Sequence, residues 1–179
     1  MKKLIILDRD GVINHDSDAY IKSPQEWHPI PGSLEAIALL NQKGYRVCIA
    51  TNQSGIARRL YDEQMLTQIH QKMHALLQRV KGCIDEVFYC PHSDEAHCAC
   101  RKPKPGLLYQ IAEHYQVTLN EVPFLGDSWR DIEAAIAAGA QPHLVLTGNG
   151  KQTLHQYADK LLQVPRHADL LAFAHVCKD

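Results

Sequence analysis

Residues 4–14 read LIILDRDGVIN: four apolar residues, then Asp8 and Asp10 flanking Arg9, then Gly11. Asp8 cuts the apolar run off far short of a signal-peptide core, so the segment reads as a buried strand. Asp8 and Asp10 then sit at the strand's carboxyl end, where an open α/β sheet places its ligand crevice. Gly11 permits a sharp exit.

Working outward, similar short apolar runs recur at 47–50 (VCIA), 87–89 (VFY), 122–125 (VPFL) and 143–146 (HLVL), each followed by polar or glycine-containing turns. Between them lie segments of helical spacing. In 33–44, Leu34, Ile37, Ala38 and Leu40 share a face, with Ser33 as the expected amino-terminal cap and Gly44 as a stop. Further helices are predicted over 62–80, 106–115, 129–138 and 167–176. Strands alternating with helices predict a doubly wound, mainly parallel α/β sheet with helices on both faces. At 179 residues the chain is expected to form a single domain spanning 1–179. Two connections, 13–31 and 91–105, exceed ordinary loop length, and long loops in such domains often carry function.

Composition narrows the possibilities. With 45% apolar and 22% charged residues the chain should fold unaided, and its net charge of -1, with no basic run, argues against nucleic acid as a partner. No stretch reaches the roughly 20 apolar residues of a membrane span. The expectation is a cytoplasmic monomer with no membrane partner.

Chemistry concentrates after the strands. Close carboxylates repel unless a cation or a proton joins them, and oxygen-rich surroundings favour Mg²⁺. GDSWRD follows another strand and puts Asp127 and Asp131 near the same edge, where Asp127 could complete such a site. The second strand runs into TNQSGIARR, offering the Thr51 hydroxyl, the Asn52 amide and backbone N–H groups to an anion. Arg101 and Lys102 in RKPKPG supply cations, with Lys102 as the expected phosphate clamp. Taken singly, Thr-Asn-Gln is a common turn and RKPKPG a solvated basic turn; their order along the chain gives them weight.

The segment CPHSDEAHCAC, 90–100, brings Cys90, His92, Cys98 and Cys100 into one short loop. Three thiolates and an imidazole suit tetrahedral Zn²⁺ with no open position, hence a structural site, although His97 could replace His92. The loop would fix Arg101 and Lys102 beside a substrate. His70 and His74, four apart with no third ligand in view, read as solvated helix residues.

The order acid pair, Thr51, Lys102, Asp127 resembles the haloacid dehalogenase superfamily of phosphohydrolases over nearly the whole chain. That resemblance implies Asp8 as nucleophile, Asp10 as acid and base with a raised pKa, Thr51 and Lys102 on the phosphoryl group, and Mg²⁺ held by Asp8, the Asp10 carbonyl and Asp127. Asp131 would act indirectly. DRDGVIN, TNQSGIAR, the Cys/His loop and CRKPKPG are together similar to the branch of heptose bisphosphate and histidinol-phosphate phosphatases, which has a zinc loop and no large cap domain. This implies removal of the 7-phosphate of D-glycero-D-manno-heptose 1,7-bisphosphate through an aspartyl-phosphate, toward nucleotide-activated heptose for cell-surface polysaccharide. Histidinol phosphate is second; a zinc-stabilised binding domain and a nucleic-acid end phosphatase are the alternatives. Substrate contacts implied are Asp16, Asp18, Tyr20, Thr51, Asn52, Gln53, Ser54, Arg101 and Lys102. Two residues depart from the pattern: Arg59 stands where glycine is usual, and Ser128 where some members carry lysine.

Overall fold

In the first strand, β1 (Lys3–Leu7), alternate side chains divide between two cores. Ile5 and Leu7 join Val47 and Ile49 of β2 (Tyr45–Asn52) on one face, while Leu4 and Ile6 join Cys48, Ala50 and Phe124 on the other. A strand apolar on both faces must be covered on both, which is the condition for a parallel sheet. Each fully buried Ile or Leu contributes about 1.5–3 kcal/mol. The computed structural model describes residues 3–178, so Met1 and Lys2, the start of the amino-terminal run read as a strand, lie outside the described residues, as does Asp179.

The sheet is completed by β3 (Glu86–Cys90), β4 (Pro123–Gly126), β5 (Gln141–Val145) and β6 (Arg166–His167). Its order is β3-β2-β1-β4-β5-β6, and every pairing is parallel. On the Ile5 face lie α1 (Ser33–Gln42), α2 (Glu63–Arg79) and α6 (Leu170–Val176). On the Ile6 face lie α3 (Gly106–Tyr115) and α4 (Trp129–Ala138). A shorter α5 (Gly150–Gln156) follows β5.

Two expectations need correction, and the long connection 13–31 is closed on itself. The cap of α1 is Gly32, at φ 83°, while Ser33 is already helical and its Oγ donates to Ile13 O at 2.6 Å. The helix expected over 167–176 begins only at Leu170: His167 belongs to β6, and the Asp169 side chain caps α6 by accepting from Ala172 N at 2.7 Å. The connection 13–31 is no open loop. Ile30 N donates to Ile13 O and His15 N to His28 O, closing an excursion whose Trp27 is fully buried. Lys72 of α2 anchors it by donating to the carbonyls of Pro24 and Trp27, both at 2.7 Å.

Candidate active site

Because β1 lies between β2 and β4, the ends of these strands meet at one edge. Asp8 N donates to Leu125 O at 2.9 Å, which sets Asp8 beside the end of β4. Gly11, at φ 81°, lies so near Asp127 that a Cβ there would collide with its carboxylate. Asp8, Asp127 and Asp131 bring carboxylate oxygens within 4.8 Å of one another. Among them sits the ammonium of Lys102, 2% exposed: 3.0 Å from Asp8 Oδ1, 2.6 Å from Asp131 Oδ1 and donating to Ala50 O at 2.8 Å.

Three carboxylates around one ammonium leave surplus negative charge. Burial, then Asp131, raise the Asp8 pKa well above the carboxylate range despite Lys102, and the same two causes push Asp127 up to about 7. Burial opposes the Lys102 charge, but Asp131 and Asp8 outweigh it and its pKa rises. Asp131, though buried, is held low by Lys102 and Ser128. Its Oδ2 accepts from Ser128 N at 3.0 Å and Ser128 Oγ at 2.6 Å, so it is committed to Lys102 and to the start of α4. Asp127 Oδ2 accepts from Asn149 N at 2.7 Å, which leaves Oδ1 for an ion. The donor set fits a hard divalent cation between Asp8 and Asp127.

Asp10 departs from expectation. Burial alone would raise its pKa, but the Arg9 guanidinium and hydrogen bonds from Asn14, Arg9 and Gln53 hold it below the usual value. Arg9 is 1% exposed; its Nη2 lies 2.8 Å from Asp10 Oδ1, and Asn14 Nδ2 donates to the same oxygen at 2.9 Å. A carboxylate tied to a guanidinium favours the charged form.

Other expected contacts divide. Thr51, Ser54, Arg101, Asp16 and Tyr20 line a mostly polar cleft of about 310 Å³ over the three carboxylates. Asp18 is exposed and does not line it. Asn52 and Gln53 line the cleft but are occupied within the protein. Asn52 Nδ2 donates to Lys102 O at 3.0 Å and its Oδ1 accepts from Lys102 N at 3.1 Å, so the side chain fixes the lysine's backbone. Gln53 Nε2 donates to Asp10 Oδ2 at 2.9 Å and Thr51 Oγ1 at 3.0 Å. Arg101 Nε donates to Asp94 Oδ1 at 2.6 Å, and its Nη1 donates to His92 O at 3.3 Å.

Cys90, His92, Cys98 and Cys100 converge. Cys100 Sγ lies 3.0 Å from Cys90 Sγ, 3.5 Å from Cys98 Sγ and 3.4 Å from His92 Nδ1, and Cys90 Sγ lies 3.6 Å from Cys98 Sγ and from His92 Nδ1. Tetrahedral zinc at ordinary bond lengths needs edges of roughly 3.4–3.8 Å; the other separations fall in that range, and the 3.0 Å between Cys90 and Cys100 would have to open to admit the ion. The cysteines are free thiols, and the Cys98 pKa falls to about 6, burial being outweighed by hydrogen bonds from Arg101 N and the neighbouring ligands. His97 instead ends a 3-10 turn, and its carbonyl accepts from Lys104 Nζ at 3.0 Å.

Sequence reading missed Arg9, Asn149 and Arg130, and it took His70 for a solvated helix residue. Arg58, quoted only within its motif, and Arg130 line the cleft. Asn149 follows β5 at the sheet edge that carries the other site residues, a positional signal that was available. His70 is half-buried and its Nε2 turns inward, 3.2 Å from Arg9 Nη1.

A family profile described as haloacid dehalogenase-like hydrolase matches residues 5–139. The chain is 56% identical over 154 residues to the D-glycero-beta-D-manno-heptose-1,7-bisphosphate 7-phosphatase of Bordetella bronchiseptica, 86% of either chain. It is 49% identical over 168 residues to the enzyme of that name from Neisseria meningitidis, 94% of this chain and 88% of the relative. The crystal structure of the D,D-heptose 1,7-bisphosphate phosphatase from B. bronchiseptica, complexed with magnesium and phosphate, superposes with a TM-score of 0.94 at 53% identity, covering 97% of this chain and 96% of that one.

Proposed function

The chain belongs to the haloacid dehalogenase-like hydrolases, and from that membership we propose that it removes the 7-phosphate of D-glycero-β-D-manno-heptose 1,7-bisphosphate. The observation that carries the reading is the Asp8 carboxylate, 3.0 Å from the buried Lys102 ammonium and grouped with Asp127. A nucleophilic oxygen thus stands beside one fixed cation and a place for another. The substrate follows from the identity shared with phosphatases of that name.

Asp8 and Asp127, with the Asp10 carbonyl, would hold Mg²⁺, which when bound neutralises charge on the transferring group. An Asp8 oxygen attacks phosphorus while the bond to the sugar oxygen breaks, giving an aspartyl-phosphate. Asp10 gives its proton to the departing oxygen. It then takes one from the water that attacks phosphorus, restoring Asp8. Paired with Arg9, Asp10 rests as a carboxylate, ready for the second role; an entering phosphate dianion raises its pKa, so that it takes up from solvent the proton that the first role gives away. Lys102, Thr51 and the N–H groups after β2 stabilise the phosphoryl oxygens.

Ser54, Arg101, Asp16 and Tyr20 contact the sugar or its second phosphate in this reading, and Cys90, His92, Cys98 and Cys100 would hold Zn²⁺ and so keep Arg101 and Lys102 in place. The enzyme acts in the cytoplasm as a single-domain monomer on a small sugar phosphate. Phosphate release with Mg²⁺ should be far faster from the heptose bisphosphate than from histidinol phosphate. Preference for histidinol phosphate overturns the substrate, and release that ignores Mg²⁺ overturns the mechanism.

A further inference from the structure

Asp10 is held from behind. Its carboxylate receives Arg9 Nε at 3.2 Å and Nη2 at 2.8 Å on Oδ1, and Gln53 Nε2 at 2.9 Å on Oδ2. Gln53 in turn accepts from Tyr61 Oη at 2.6 Å and from Arg9 Nη2 at 3.3 Å. One group of the fork remains: Arg9 Nη1, which meets His70 Nε2 at 3.2 Å. A guanidinium can only donate, so His70 Nε2 must accept, and the ring's proton lies on Nδ1. Burial first, then Arg9 and His74, lower the His70 pKa to about 3, which keeps the ring an acceptor.

We propose that His70, reaching from α2, is a positioning residue for the acid/base carboxylate, acting through Arg9 to fix the direction in which Asp10 faces the leaving oxygen. The geometry gives the reason. Arg9 is almost wholly buried, and a donor left without an acceptor there costs free energy that rotation of the fork relieves. That rotation swings both contacts to Asp10 Oδ1. The inference rests on the acid/base reading of Asp10 given above.

The test separates proton donation from everything else at the site. A sugar phosphate needs its leaving oxygen protonated, whereas p-nitrophenyl phosphate does not, and kcat/KM reports steps through formation of the aspartyl-phosphate. His70→Leu should lower kcat/KM for the heptose bisphosphate by about tenfold relative to p-nitrophenyl phosphate, part of the 10²–10⁴ that acid/base catalysis supplies. His70→Gln, which restores an acceptor, should recover most of it. Equal losses on both substrates, or no recovery with glutamine, overturn the proposal. Asp10→Asn belongs in the same assay. If it treats the substrates alike, the acid/base reading falls and the inference with it; if it separates them and His70→Leu does not, only the inference falls. Nitrogen-15 NMR of the unaltered enzyme gives a second check that needs no folded variant: His70 protonated on Nδ1 supports the link, and a proton on Nε2 overturns it.

Discussion

Asp8 illustrates how a single residue acquires reactivity from its neighbours. Its burial and the adjacent Asp131 disfavour the charge, and Lys102 restores part of what they remove. Asp8→Asn keeps the shape but removes the nucleophile, so turnover should fall by about 10⁴-fold or more while the melting temperature is held or rises; near-normal phosphate release would show the nucleophile to be elsewhere. Arg59 gives a residue-scale prediction on stability. It adopts φ 59°, the left-handed region that favours glycine, which accounts physically for the glycine usual at this place in the family pattern. Arg59→Gly should therefore stabilise the fold by roughly 0.5–1 kcal/mol, measured by urea denaturation, and a loss of stability would contradict the strain. Asp8, Asp10, Lys102 and Asp127 were legible because each follows a recognisable strand or motif. Arg9 was not, although it stands between the two acids: nothing in DRD says which neighbour a buried guanidinium serves.

The elements that position the site were legible wherever burial fixed a period. Five of the six strands stand out as apolar runs because a parallel sheet covered on both faces has little freedom to be polar. β6 has two residues, too few to show a period, and α5 buries only Gly150 and Thr153 and so carries no apolar stripe; neither was foreseen. Pairings across elements were equally hidden: Asn52 looks like an anion donor in sequence and is a clamp on the Lys102 backbone in space. The loop from β3 to α3 depends on such clamps and on its thiols. Metal analysis should find zinc on the purified chain, and removing it with a strong chelator, or substituting Cys98→Ser with Cys100→Ser, should free residues 91–105. The expected readouts are protease cleavage there, a melting temperature lower by about 5 °C, which corresponds to roughly 1–2 kcal/mol, and weaker kcat/KM through loss of Arg101 and Lys102 alignment. Unchanged cleavage after removal of zinc would mean that the loop holds itself.

At the scale of the whole molecule the strand order puts β1 between β2 and β4, so that one sheet edge gathers Asp8, Thr51 and Asp127 from distant parts of the chain. The fold thereby confines like charges that only a cation reconciles, and the metal-free protein should carry the cost as a pH dependence. Asp127 ionises near 7 when folded, against 3.8 for the unperturbed group. Between those values Asp127 holds its proton in the folded chain and not in the unfolded one, so stability falls as pH rises through this window, and the share of the penalty that belongs to Asp127 is complete above about pH 7. Asp127→Asn removes the charge, so without magnesium it should melt higher than the unaltered chain at pH 8, with the gap narrowing toward pH 5. Magnesium should reverse the order at pH 8 by stabilising only the unaltered chain. Its apparent affinity should weaken by up to about tenfold per pH unit below 7, since the ion must displace the Asp127 proton. Thermal melts at the two pH values, with and without magnesium chloride, decide the matter: a metal-free gap that widens toward pH 5 would place the surplus charge on some group other than Asp127.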